Sequence, residues 1–543
     1  MTALPFLRSP PFPGIAPATA AVSVAGGEAH APVSDKLLDM VAMARVGSSF
    51  WGHRPESVTL VVREGVAVPQ PLLEGLSRDE IGIVRGANVR RSGVSGRLLP
   101  SPCDPWAIIA AARSVHAEPE DELAIIAGLL GIPVLGADLQ PIAPHILRDN
   151  ARRAIAAANY RDCFSGRPIG AEQAVTQLAD WRRYFEGNRG IAAASGMAFW
   201  KRDAIRRFLW DGLGSPPLLS AERGLRLAGK TGGTLAVWPS RVAQADMERA
   251  RQEGVPVAKV EDGFLRSKGL GAALHPPGSV VIDRSGIYYD ARFPSDLETL
   301  LATHDFSAEL EQRAARLRAL IRASGVTKYG TDTGRMIDLP AECRTVLAIG
   351  QVEDDLSVAF GGAGCAGNLD LLRRVRVAEP DAHIIYRPHP DVQAGLRRGH
   401  LSDTAILDHA DAIDTGSPLM ALVQAVDEVH VLSSLTGFEA LMRGRPVTVH
   451  GMPFYAGWGL TRDLAPSTHR RGRVLTLDQL VAGALILYPR YLDPVTRLPC
   501  GPEVMVERLA SGAPSSGSWL SRMRTLQGKL QRFMTLSAEY LHG

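Results

Sequence analysis

Residues 260–271 read VEDGFLRSKGLG, placing Glu261 and Asp262 side by side in an otherwise apolar run. Burying a carboxylate is costly unless something pairs with it, so adjacent acids in such a place ask for a purpose. Acid/base work is one, and Gly263 behind the pair permits a backbone angle that turns both acids outward. A solvated turn is the plainer account of this triplet taken alone. A second cluster, GQVEDDLS (350–357), follows the apolar run VLAI. It offers Gln351 and a carboxylate nucleophile or base, best placed at Asp355, although consecutive acids equally suit a helix N-terminus. A third, YRPHPDV (386–392), sets Arg387 and His389 two apart, on one side of an extended segment. Pro388 and Pro390 stiffen the backbone around that imidazole, an arrangement fit for an anionic phosphate. In the fourth, LSSLTGFEALMRGRP (432–446), Ser433 and Ser434 cap a helix whose unpaired N–H groups attract phosphate. Glu439 lies on that helix, within reach of a ribose hydroxyl.

Each cluster falls where a strand should end. TLAVW (234–238) and VPVAKV (255–260) read as strands, separated by a helical stretch that stops at Gly254. RTVLAIG (344–350), AHIIYRP (382–388), EVHVL (428–432) and RPVTVHG (445–451) alternate with helical segments in the same way. Such alternation predicts βαβ units and parallel sheets, one near 190–335 and one near 341–510. Ligands of such sheets sit beyond the carboxyl ends of the strands. The chain also repeats itself: DPWAIIAAARSVHAEPEDELAIIAGLLGIPVLG (104–136) parallels SPLMALVQAVDEVHVLSSLTGFEALMRGRPVTVHG (417–451), with Pro119 and Glu120 standing where the second copy has Ser433 and Ser434. A related pair, 159–175 and 488–506, follows each copy. We therefore expect a degenerate, structural module remnant over 1–180, Rossmann-like domains over 181–340 and 341–512, and a basic amphipathic helix over 513–543. A docking role suits that helix better than a membrane-surface contact.

The totals exclude several classes. With 543 residues, 45% hydrophobic and 22% charged, the chain has ordinary globular composition. A net charge of +3 is too small to suggest a nucleic-acid binder. Five scattered cysteines without a CxxC pair argue against a disulfide framework or zinc site, and fit a reducing cytoplasm. Five prolines before residue 18 break any signal-like run, and the apolar stretch 124–137 is too short to span a bilayer.

A phosphate site on one sheet facing carboxylates from another describes a two-domain glycosyltransferase, with a nucleotide sugar in the cleft. No DxD-type motif stands out, so no metal or cofactor is expected. A single phosphate, as in a CMP-sugar, is manageable with His389, Arg387 and helix dipoles.

Together VEDGFLRSKGLG, IDRSGIYYDARFPSDLE (282–298), GQVEDD, YRPHPDV and SSLTGFEALMRGRPVTVHGMPFYAGWGLTRD (433–463) resemble the capsule polysaccharide β-Kdo transferases, the KpsC-like family. The resemblance runs from about 190 to 510. It implies a GT-B architecture and retaining transfer of 3-deoxy-D-manno-oct-2-ulosonic acid (Kdo) from CMP-β-Kdo to a lipid-linked oligo-Kdo acceptor, at the inner face of the inner membrane. Members carry two modules in tandem; this chain looks like the second, preceded by the carboxyl-terminal part of the first. By the same resemblance Asp355 is the nucleophile, Glu261 and Asp262 serve the acceptor hydroxyl, and His389, Pro390, Ser433 and Ser434 hold the CMP phosphate. Arg266 and Lys328 are candidates for the Kdo carboxylate, with internal salt bridges an equal alternative. YAGWG (455–459) offers Tyr455 and Trp458 for stacking or for core packing, evenly balanced. For IYYDARFPSD (287–296) the sequence suggests no role beyond packing and a turn. Two rival functions remain: a non-catalytic partner in capsule assembly or export, and a transferase of another CMP-linked acid, such as a sialic acid.

Overall fold

The computed structural model describes residues 4–26, 32–85, 95–265, 276–326, 335–466 and 468–512. Arg266, Lys328 and the expected helix over 513–543 lie outside these. The chain forms two compact units, one of Met1–Arg189 with Leu209–Pro216 and Thr496–Pro499, the other of Gly190–Phe208, Pro217–Val495 and the residues from Cys500 onward.

The first unit is built on five parallel strands: β1 (Leu60–Arg63), β2 (Ile81–Val84), β3 (Arg97–Leu98), β4 (Ser114–His116) and β5 (Val134–Leu135). They lie in the order β3-β2-β1-β4-β5. Helix α1 (Glu122–Leu130) connects β4 to β5, starting at an Asp121 cap and stopping at Gly131, which takes the left-handed conformation. Val61, Val115, Trp106, Ile126, Leu147 and Trp181 pack into this unit's core.

The second unit holds two sheets. The first contains β6 (Ile191–Ser195), β7 (Leu218–Leu219), β8 (Thr234–Val237), β9 (Val257–Asp262) and β10 (Ser279–Asp283). The other contains β11 (Thr345–Ile349), β12 (His383–Arg387), β13 (Ala412–Ile413), β14 (Glu428–Val431), β15 (Val447–Val449) and β16 (Arg462–Asp463), all parallel, in the order β13-β12-β11-β14-β15-β16. β17 (Pro489–Leu492) departs from the expected division at 341: it returns to the first sheet, a seven-stranded one that includes the run β17-β10-β9-β8-β6-β7. There it pairs antiparallel with β10, which is itself antiparallel to β9. Strands buried on both faces need no alternation of apolar and polar residues, which is why TVLAI reads as a nearly continuous apolar run; EVHV alternates, yet all four of its residues are buried. One apolar core serves both sheets, joining Phe264, Val281 and Leu297 to Leu347, Val429, Phe454 and Trp458. This shared core fixes the strand ends of one sheet relative to those of the other. The architecture is mixed α/β with Rossmann-like parallel sheets.

Candidate active site

Glu261 and Asp262 are the last two residues of β9 rather than residues beyond it. Gly263 is required for closeness, not for an unusual angle. It is absent from the positive-φ glycines, and a Cβ there would overlap the Ser279 hydroxyl. The Asp262 carboxylate meets Lys201 Nζ at 2.9 Å, and the Glu261 Oε1 accepts the Asp262 backbone N–H at 3.0 Å.

Behind these acids runs the 284–295 loop. Buried Asp283 organises it, accepting from the backbone N–H groups of Ser285, Gly286 and Asp296 and from the Tyr488 hydroxyl at 2.8 Å. The loop presents Tyr288 and Tyr289. Burial pushes the Tyr288 hydroxyl well above the usual phenol range, and the charges of Glu261, Tyr289, Asp262 and Asp355 act in the same direction. Tyr289 is raised likewise by burial, then by Glu261 and Asp355. One tyrosine pair thus lies within the fields of carboxylates from both sheets. Sequence alone suggested only packing for these tyrosines, and no short-range signal could have supplied more.

On the second sheet, helices α2 (Leu356–Gly361) and α3 (Asn368–Ala378) follow β11, and α4 (Pro390–Gln393) follows β12. Asp355 caps α2, accepting from the Ser357 N–H at 2.9 Å and its hydroxyl at 2.7 Å, and its side chain is exposed. Its two acidic neighbours are engaged elsewhere: Glu353 accepts the Asn368 N–H at 2.8 Å, and Asp354 pairs with Arg397 at 3.2 Å. Gln351 is buried and clamps the Ser433 turn: its Nε2 donates to Ser433 Oγ at 3.1 Å, while its Oε1 accepts the Ser433 N–H at 2.8 Å. Helix α5 (Leu435–Met442) begins with Ser434 as its cap, whose Oγ accepts the Thr436 N–H at 3.2 Å. Gly361, at the end of α2, lies between these parts: a Cβ there would sit 3.4 Å from the Tyr289 carbonyl and 3.6 Å from Ser433 Cβ. The Asp355 helix, the tyrosine loop and the serine turn are therefore neighbours.

His389 and Arg387 do not share one extended segment. The strand ends at Arg387, whose guanidinium is bound by buried Asp414, and His389 instead caps α4, with Pro390 as its first residue. Its Nδ1 accepts the Asp391 N–H at 3.1 Å, which sets the Nε2–H tautomer and aims that donor away from the helix. Glu439 is buried on α5, where its charge acts on Arg443 and Tyr455. Tyr455 and Trp458 are both 0% exposed, so packing and not stacking is their role. Arg471 holds that loop, donating to the carbonyls of Pro453 and Ala456 and pairing with buried Glu298 at 2.8 Å.

Among the described residues, Glu379, Glu428 and His430 are grouped closely enough to suggest metal ligands. Arg344 bridges both acids and Arg462 pairs with Glu379, so the carboxylate charge is already neutralised by protein.

The family model for "Capsule polysaccharide biosynthesis protein" matches residues 234–332 and 321–491. The capsule polysaccharide modification protein LipA of Neisseria meningitidis is 39% identical over 323 residues, 59% of this chain and 46% of that protein. The lipopolysaccharide-processing protein LpsZ of Rhizobium meliloti is 43% identical over 260 residues, 47% of this chain and 58% of that protein. The chain thus spans about half the length of the curated relatives it matches. Two solved structures of Thermosulfurimonas dismutans KpsC are similar. The β-Kdo 2,7 transferase is 34% identical with a TM-score of 0.50, and the match covers 60% of this chain and 100% of that one. The β-Kdo 2,4 transferase is 33% identical with a TM-score of 0.50, covering 59% and 98%. The matched span contains the acid pair, the tyrosine loop, Asp355, His389 and the serine turn, and with them this chain belongs to the KpsC-like capsule Kdo transferase family.

Proposed function

We propose that this chain is a retaining glycosyltransferase of GT-B type that moves Kdo from CMP-β-Kdo onto a lipid-linked oligo-Kdo acceptor in capsule biosynthesis. The observation that best supports this is that carboxylates from two sheets, Glu261 and Asp355, act on one tyrosine pair, whose loop meets the Asp355 helix and the serine turn at Gly361. In the first step the Asp355 carboxylate attacks the anomeric carbon, the bond to the phosphate oxygen breaks, and CMP leaves with the electron pair. In the second, the Glu261–Asp262 pair takes the proton of the acceptor hydroxyl. That oxygen attacks the same carbon and expels Asp355, so two inversions give retention. His389 and the Ser433–Ser434 turn would hold the phosphate, with helix N–H groups supplementing them. CMP is a good leaving group, so deprotonating the acceptor is the heavier proton-transfer task.

The same reading makes residues 1–180 a remnant without a donor site. It also places the protein peripherally at the inner face of the inner membrane; among the described residues no helix is long and apolar enough to cross one.

The decisive experiment is mass spectrometry of the denatured protein after incubation with CMP-Kdo. A Kdo adduct is expected on the peptide containing Asp355, absent in Asp355→Ala. Turnover without any adduct, or full activity in Asp355→Ala, would remove the mechanism. CMP-sialic acid as a parallel donor tests the identity of the sugar, and donor binding without turnover would favour a non-catalytic role.

A further inference from the structure

We infer that Lys201 divides the labour of the acid pair: it fixes Asp262 as a structural anion, leaving Glu261 as the base that activates the acceptor. The inference rests on the transferase reading above and refines the acceptor side of the same site.

Lys201 ends a single 3-10 turn, Phe199–Lys201, just beyond β6. Gly196 fixes the path into that turn. Its φ is +78°, and a Cβ there would come within 2.9 Å of Val242 and 3.1 Å of the Trp238 carbonyl. The lysine is only 6% exposed, so its ammonium has been taken out of water. Its Nζ lies 3.4 Å from the ring centre of Trp238 and 5.0 Å from that of Trp200, and the Asp262 Oδ1 is 2.9 Å away. A buried ammonium between indoles needs an anion close by, and β9 delivers one in Asp262. Removing either partner would take from the other a charge-assisted bond of 2.9 Å.

The geometry separates the two acids. Neighbouring residues on a strand point to opposite faces, so when Asp262 turns to Lys201, Glu261 turns away from it. Glu261 and Asp355 act on both the Tyr288 and the Tyr289 hydroxyls, whereas Asp262 acts on Tyr288 and less than Glu261 does. Glu261, which shares both tyrosines with the nucleophile and is turned away from Lys201, is the acid placed to reach a hydroxyl arriving at the same carbon. Asp262 contributes through its backbone as well: its N–H donates to Glu261 Oε1 at 3.0 Å, steadying the base. Lys201 is thus a positioning residue, acting on the reaction through Asp262 and then Glu261.

The test compares Glu261→Gln, Asp262→Asn, Lys201→Met and Lys201→Arg in steady-state transfer from CMP-Kdo to a Kdo-terminated acceptor, with adduct formation followed separately. We expect Glu261→Gln to lower kcat by about 1000-fold while the Asp355 adduct still accumulates. Asp262→Asn and Lys201→Met should each lower kcat by roughly 10- to 100-fold with donor KM changed less than about threefold, and the double variant should be no worse than either single one. Lys201→Arg should recover activity to within about threefold of wild type, since a guanidinium can pair with the aspartate and stack on Trp238. A larger loss in Asp262→Asn than in Glu261→Gln, additive losses in the double variant, or no recovery with arginine would overturn the inference. If Lys201→Met does not fold, the Glu261→Gln and Asp262→Asn comparison alone decides. Wild-type protein that neither transfers Kdo nor forms the adduct would sink the transferase reading itself; an active wild type with the wrong variant pattern sinks only the division of labour.

Discussion

At the scale of single residues, Gln351 shows how a polar side chain can be placed without being a catalyst. Its amide both donates to and accepts from Ser433, and its backbone N–H donates to Asn368 Oδ1 at 2.8 Å. Gln351→Glu keeps the shape, loses the donor and adds a negative charge beside the proposed phosphate seat. The expected outcome is a donor KM raised at least about tenfold with a much smaller change in kcat, measured by CMP release. An unchanged KM would mean that the Ser433 turn does not hold the donor. Asp355, Glu261, His389 and Ser434 could be proposed from the sequence because acids, a proline-flanked imidazole and paired hydroxyls recur together at successive strand ends, although no one of these patterns is distinctive by itself. Lys201 was not legible: 61 residues separate it from Asp262, and only the sheet brings them together. Tyr288 and Tyr289 were missed for the same reason, since their neighbours come from another strand and another sheet.

At the scale of elements, the central parallel strands were readable because burial on both faces demands apolar runs. The edges were not. β17 joins the first sheet through long-range pairing of Pro489 and Arg490 with Val281 and Val280, which no local pattern announces. Likewise, Pro390 reads as a rigid flank in the sequence but serves as the first residue of α4. Between β14 and the end of β15 sits a buried pair, His430 Nδ1 and His450 Nε2, 3.0 Å apart. Burial lowers His430 to about 4, and burial together with His430 lowers His450 to about 3. An unfolded histidine titrates near 6.5, so below that pH the unfolded chain takes up protons that the folded one refuses. The pair's contribution to stability is therefore complete above about pH 6.5 and declines as pH falls toward 4, by at most about 1.4 kcal/mol per pH unit for each ring. Buried Asp283 and Asp104, whose carboxyls are raised by burial, act in the opposite sense. The test is accordingly a difference: between pH 7.5 and 5 the urea midpoint of wild type should fall more steeply than that of His450→Gln. Parallel lines would show that the pair does not titrate as a buried unit.

At the scale of the molecule, two sheets follow one winding. In β3-β2-β1-β4-β5 and again in β13-β12-β11-β14-β15 the first strand is central, the second and third extend to one side, and the fourth and fifth to the other. Val115 pairs with Val134 in the first as Val429 pairs with Val447 in the second. This similarity of topology supports a duplicated module, and it refines the correspondence drawn from sequence. The helix cap that answers to Ser434 is Asp121, one position beyond Glu120. In the first copy, then, the helix N-terminus carries its own carboxylate: Asp121 accepts the Leu123 N–H at 2.8 Å, and Arg63 grips it through two bonds of 2.6 and 2.7 Å. An anion already occupies the place where a phosphate would sit, and the arginine nearest to it is engaged. His116 is similarly committed, with both ring nitrogens on backbone carbonyls at 2.9 Å. Calorimetric titration with CMP should therefore give one site per chain. That single site should vanish in a folded His389→Ala/Ser434→Ala double variant, because the first copy has nothing to offer in its place. Two sites in wild type, or one surviving in the double variant, would mean that the first sheet still binds nucleotide and that its internal ion pair opens to admit it.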